Sequence, residues 1–222
     1  MVVSGFTGSG KTVWVMQLCD NVNNVIENGE GGGGITSIFY CYGALNDNVL
    51  KLKHRESTSS SVDKESERRV KIVTHNGIPS EERIKEEAHD RKLLLILDDL
   101  MILAKSAFLD TLFTLGSHNW GVSVVLVTQH LFSREMRIAR NNAHYIVLLR
   151  NPSGALQIRN IGSQLFPGRL AYFMEAYGDA TELPFSYLVI DMHPKTEETM
   201  RLKTGIFPND DDSKYQIVYV PK

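Results

Sequence analysis

Two cysteines in 222 residues, Cys19 and Cys41, are too few for a disulfide framework. Cys19 falls in an apolar helical pattern and Cys41 in an apolar strand pattern. Both read as small core residues, which suits a reducing compartment. The seven histidines are scattered, with no HxxxH pair and no CxxC, so no zinc-site spacing is present. No apolar run reaches the length of a membrane span. The chain does not open with a charged segment followed by a long apolar stretch, so it shows no signal peptide, and an intracellular, unsecreted protein without membrane contacts is expected. An excess of either charge is lacking too, with 24 Lys and Arg against 26 Asp and Glu. A formal net charge of −2 excludes an overall positive field, and any nucleic-acid contact would have to come from local basic loops. Against these absences, 42% hydrophobic and 23% charged residues are ordinary for a globular chain, long enough for one domain over residues 1–222 with a sizeable core.

Apolar runs alternate with helical patterns. Val2-Val3 reads as a first buried strand, followed by a glycine-rich turn and a helix from Thr12 to about Asn28. The glycines from Gly29 to Gly34 stop that helix. Ile35 to Tyr42 is rich in β-branched and aromatic residues and reads as a strand. Residues 51–69 are charged and serine-rich and read as a mobile surface insertion. Val70 to Thr74 fits a short edge strand, and Ser80 fits the N-cap of a following helix. Leu93 to Leu97 is a continuous apolar run, as in a central strand buried on both faces. A helix is expected over Ala104–Ser117, strands over Val122–Val127 and Tyr145–Leu149, then two helices marked by Ile158, Ile161, Leu165 and by Leu170, Phe173, Met174, Tyr177. Phe185–Ile190, Met200–Thr204 and Tyr215–Val220 read as closing strands. This alternation predicts an α/β fold with a largely parallel central sheet flanked by helices and an antiparallel C-terminal edge. The first strand is short, since strands usually run about five or six residues, and an upstream segment is expected to be missing.

Gly5-Phe6-Thr7-Gly8-Ser9-Gly10-Lys11-Thr12 matches G-x-x-x-x-G-K-[ST] in full. Glycines let backbone N–H groups turn inward around phosphate oxygens. The following helix aims its positive end at the same anion. Lys11 would reach the β and γ phosphates and the Thr12 hydroxyl would ligate Mg²⁺, with Gly5 to Val13 as the nucleotide contacts.

Asp98 sits at the carboxyl end of an apolar strand, where open α/β sheets bind ligands, and would hold Mg²⁺. Asp99 would polarise the attacking water. Adjacent strand residues face opposite ways, so the chain must bend there for both to serve one site. Gln129, at the tip of Val122–Val127, could hydrogen-bond the γ phosphate or the water and sense which is present. Arg134, Arg137 and Arg140 are spaced to share a helical face. Arg137 first and Arg140 second are candidates to stabilise transition-state charge in a neighbouring subunit.

Together with the phosphate loop, the segments Leu95-Ile96-Leu97-Asp98-Asp99-Leu100-Met101 and Leu126-Val127-Thr128-Gln129-His130-Leu131-Phe132 resemble the FtsK–HerA group of P-loop ATPases. The likeness is to viral genome-packaging ATPases of the poxvirus and Maverick/Polinton transposon types. Phe113 to Asn119, His144 to Pro152 and Pro184 to Asp191 are similar to the same branch. The resemblance implies a RecA/ASCE-like P-loop NTPase fold that binds ATP with Mg²⁺. It further implies a homo-oligomeric ring that pulls double-stranded DNA, with capsid or portal proteins as partners, in the nucleus or cytoplasm of a host cell. Relatives usually carry Glu where this chain has Asp99; the packaging branch tolerates Asp. DNA-facing candidates are Lys51, Lys53 and Arg55, or Lys64, Arg68 and Arg69. Two other readings stay open: a small-molecule P-loop kinase, and a catalytically weakened nucleotide-binding relic of a transposon.

Overall fold

The computed structural model describes residues 1–26, 34–59, 70–100, 106–116, 119–208 and 216–221. Its strands are β1 (Val2–Ser4), β2 (Ser37–Tyr42), β3 (Lys71–Asn76), β4 (Leu93–Asp98), β5 (Val122–Thr128), β6 (Tyr145–Leu149), β7 (Tyr187–Asp191), β8 (Leu202–Thr204) and β9 (Ile217–Tyr219). The chain divides into two compact units, Met16–Val127 and Met1–Val15 with Thr128–Lys222.

In the unit Met16–Val127, the strands run β3-β2-β4-β5 and every pairing is parallel. β2 and β4 are buried along their whole length, as continuous apolar runs covered on both faces require. β3 pairs with β2, is exposed at both ends and buries only Val73, as an edge strand does. The crossovers carry the helices Asp47–Ser59 and Glu81–Ala88. Ser80 caps the second of these by accepting from Arg83 N at 3.2 Å.

In the other unit, β1 pairs parallel with β6, and β7, β8 and β9 follow as successive antiparallel neighbours. The expected antiparallel edge therefore starts at β7. The helices Ala155–Leu165 and Leu170–Ala180 lie between β6 and β7 in sequence and bury Ile158, Ile161 and Phe173.

Several boundaries differ from the sequence reading. The helix after the glycine loop, Lys11–Asp20, stops eight residues before the expected Asn28, with one further turn at Val22–Val25. Its buried side is Trp14, Val15, Leu18 and Cys19, while Val13 points outward at 42% exposure. Trp14 takes the buried side because its large ring gains more from burial than the smaller Val13 would. Residues 51–59, expected as the start of a mobile insertion, are helical. Asn46 Oδ1 accepts from Val49 N at 3.0 Å, Val49 and Leu52 are buried, and Glu56 accepts from both Thr74 N and Thr74 Oγ1. A cap, an apolar stripe and a side-chain tie to β3 outweigh the polar composition. The rest of that insertion lies outside the described residues. Of the expected helix Ala104–Ser117, the described residues are α-helical at Ser106–Thr111 and continue as a π-helical turn at Leu112–Gly116; the remainder lies outside the described residues. β7 begins at Tyr187, two residues after the expected Phe185, which has a positive φ.

Among the described residues no helix is long and apolar enough to cross a membrane. Cys19 and Cys41 are buried, unpaired thiols. Burial, reinforced by the charge of Asp20, pushes the Cys19 thiol up to about 12.

Candidate functional site

β1 needs only three residues because all three are buried and in register with β6, Val2 to Ile146 through Ser4 to Leu148. Ser4 delivers the chain directly into the glycine loop. Gly8 and Gly10 adopt φ of +78° and +99°, which side-chain-bearing residues rarely reach. These two reversals fold the loop back on itself. Ser9 N donates to Phe6 O at 3.1 Å, and Phe6 N donates to Arg150 O at the end of β6, at 3.4 Å.

The Lys11 ammonium donates to the carbonyls of Gly5 (3.0 Å) and Phe6 (2.9 Å), so its charge is held over the loop. Thr7 Oγ1 donates to Gln129 Oε1 at 3.1 Å, which ties the loop to the residue that follows β5. The Ser9 hydroxyl is buried and has no hydrogen-bond partner among the described residues. An orphaned buried hydroxyl is unfavourable, and a phosphate oxygen in the loop would satisfy it. Thr12 sits half-buried in the first turn of the helix. Phe6 and Val13, the remaining predicted contacts, are exposed.

The acidic residues belong to the other unit and are built differently. Asp98 is the last residue of β4 and is buried. Tyr40 donates its hydroxyl to Asp98 Oδ2 at 2.5 Å. β2 and β4 align Tyr40 with Ile96 and Tyr42 with Asp98, so Tyr40 and Asp98 share a face two residues apart. Burial, then the charge of Asp98, raises the Tyr40 hydroxyl far above its ordinary range, so it stays a donor. Asp99 leaves the strand with φ +55° and is exposed. The bend that the sequence requires is therefore present in the backbone. Gly43 N donates to Asp98 O at 3.1 Å, and a Cβ on Gly43 would lie 2.6 Å from Asp99 O, so β2 and the bend approach closely.

The arginines do not share one helical face. Arg134 precedes the helix Met136–Asn141, and Arg137 is exposed on it. Arg140 donates to Leu131 O at 2.8 Å and lies over the Phe132 ring at 4.2 Å. Burial, followed by repulsion from Arg137, lowers its pKa. Arg140 is thus engaged within its own unit, and Arg137 is the more available cation. Of the basic loop candidates, Arg55 pairs with Asp20, Lys53 lies over the Tyr42 ring, and Lys51 is exposed. Lys64, Arg68 and Arg69 lie outside the described residues.

Sequence reasoning missed Tyr40, Arg150 and Phe185. Tyr40 becomes relevant only through the β2–β4 register. The positive φ of Phe185 has no sequence signal, since bulky residues rarely adopt it.

Within its own unit the loop suits a phosphate: its amides, Lys11 and the orphaned Ser9 hydroxyl match phosphate oxygens. The Thr12 hydroxyl there, and the Asp98 carboxylate in the other unit, are each hard oxygens of the kind Mg²⁺ takes. Among the described residues no three His, Cys, Asp or Glu side chains cluster as a metal cage.

No protein-family model matches this chain, and no curated protein matches it. Among solved structures it is similar to a KaiC-like protein from the hyperthermophilic archaeon Pyrococcus horikoshii, at 15% identity over 98% of this chain and 88% of that one, with a TM-score of 0.48. At that identity and score the likeness bears on neither substrate nor chemistry.

Proposed function

We propose that this chain is an ATP hydrolase of the P-loop class that drives movement of double-stranded DNA, working as a homo-oligomeric ring of the genome-packaging type. The observation that carries the hydrolase reading is the Thr7–Gln129 hydrogen bond, which sets a polar strand tip against the phosphate loop. A γ-phosphate sensor has to stand beside the loop that holds the phosphates, and this bond keeps Gln129 there.

In this reading the loop amides and Lys11 bind and orient the triphosphate. Asp99 accepts the proton of a water that attacks the γ phosphorus. The bond to the β-phosphate oxygen breaks, leaving ADP and inorganic phosphate. Gln129 orients the water and registers loss of the γ phosphate. Thr12 and Asp98 would hold Mg²⁺, which when bound neutralises charge on the β and γ oxygens. Arg137 is the residue to serve a neighbouring subunit's γ phosphate, given how Arg140 is engaged.

The DNA motor rests on the resemblance of the segments around Asp98, Gln129 and Tyr145 to packaging ATPases, with exposed Lys51 as one phosphate contact. The test is phosphate release with and without double-stranded DNA, beside a measurement of oligomer size. Acceleration by DNA in a ring-sized assembly is expected. Phosphate loss only when a small acceptor is added would replace this reading with a kinase. A DNA-independent rate in a monomer would remove the motor and leave the hydrolase.

A further inference from the structure

Phe185 stands between the helix Leu170–Ala180 and β7 with its backbone at φ +67°. For a bulky side chain that conformation is a true outlier and persists only where the surroundings enforce it. They do so here. Ser186 donates to Leu183 O through both its N (3.3 Å) and its Oγ (2.7 Å), which closes the turn. Arg150 donates to Glu182 O at 3.5 Å, while its own carbonyl accepts from Phe6 N of the phosphate loop at 3.4 Å. One residue therefore braces both the turn and the loop.

The strained backbone sets the Phe185 side chain directly over Gly10. A Cβ on Gly10 would lie 2.6 Å from Phe185 Cδ1 and 3.1 Å from Phe185 Cβ. Yet 57% of Phe185 remains exposed. An aromatic ring held at conformational cost beside the phosphate cradle, and left open to solvent, gains nothing from the fold alone. Its free face suits a flat, apolar group carried by whatever the cradle binds.

We infer that Phe185 is the base-stacking residue of the nucleotide site, which rests on reading the glycine loop as the triphosphate cradle. The ligand class is a purine nucleoside triphosphate. Stacking area favours purines over pyrimidines, whereas stacking alone separates adenine from guanine poorly because every base has a π face.

The experiment compares the wild type, Phe185→Ala and Phe185→Tyr by calorimetric titration with Mg²⁺-ATP and with Mg²⁺-tripolyphosphate, which has no base. Phe185→Ala is expected to weaken ATP binding about tenfold and leave tripolyphosphate unchanged, with Tyr restoring ATP affinity. Phe185→Gly, which suits a left-handed backbone, should keep the fold and show the same selective loss. Equal weakening of both ligands by Ala and Gly would assign Phe185 to loop shape and overturn the inference. Unchanged binding of both, with or without an altered oligomer size, would overturn it too while leaving the nucleotide reading intact. A wild type that binds neither ligand would remove the nucleotide reading and this inference together.

Discussion

The glycine loop and the acidic end of β4 carry the two halves of the proposed chemistry and are stabilised by opposite means. The loop is a backbone device. Two glycines in left-handed conformations turn it, and its lysine is held by the loop's own carbonyls. The acidic tip is a side-chain device. Asp98 is buried at the end of a six-residue strand and steadied by a tyrosine from the neighbouring strand, and only Asp99 escapes, through a bend. A backbone device is local in sequence and shows itself as a motif. A side-chain device depends on which strands pair, and no motif encodes that.

Substitutions act on the two devices separately. Lys11→Ala removes the one cation of the loop and should lower phosphate release by about 10²–10³-fold or more. Full turnover in a phosphate-release assay would show that the loop does not carry the chemistry. Asp99→Asn keeps the bend but loses the proton acceptor. ATP binding should persist while the single-turnover rate falls by about a hundredfold; an undiminished rate would make Asp99 a purely structural bend. Tyr40→Phe tests the support of Asp98. It should raise the Mg²⁺ concentration for half-maximal turnover about tenfold, and cost about 1 kcal/mol in a denaturant melt through the lost hydrogen bond. A stability loss without a Mg²⁺ shift would confine Tyr40 to the core.

Asp191, outside the site, is a buried carboxylate held by a cation where Asp98 is held by a hydroxyl. Lys203 Nζ donates to its Oδ2 at 2.9 Å and His193 N to its Oδ1 at 3.0 Å. Burial pushes this carboxyl up, but the Lys203 and His193 hydrogen bonds outweigh it and hold it below the ordinary 3.8. The folded value is the lower one, so the pair stabilises at pH above the unfolded value and the benefit disappears as pH falls through the folded one. Asp191→Asn should lower Tm by a few degrees at neutral pH, and the gap to the wild type should shrink as pH falls below the ordinary carboxyl value and through the lower folded one. A gap independent of pH would mean that packing, not charge, holds Asp191.

The α/β alternation, the parallel strands and the antiparallel C-terminal edge were legible because apolar runs and turn residues are local signals. The buried side of the loop helix was not, since the burial of Trp14 depends on Tyr187 and Phe207, whose rings lie 5.8 and 5.3 Å from it and which come from distant sequence. Arg137 and Arg140 were indistinguishable by spacing. The carbonyl of Leu131 and the ring of Phe132 separate them. The bend at Asp99 followed from geometry, because neighbouring strand residues cannot face one way. The tyrosine behind Asp98 did not.

Calorimetric titration of Mg²⁺-ATP into the wild type and Lys11→Ala tests whether the glycine loop holds a triphosphate. The glycine loop as triphosphate cradle predicts saturable one-site binding by the wild type that the variant loses. Equal affinity in both proteins, or no binding by the wild type, would contradict it.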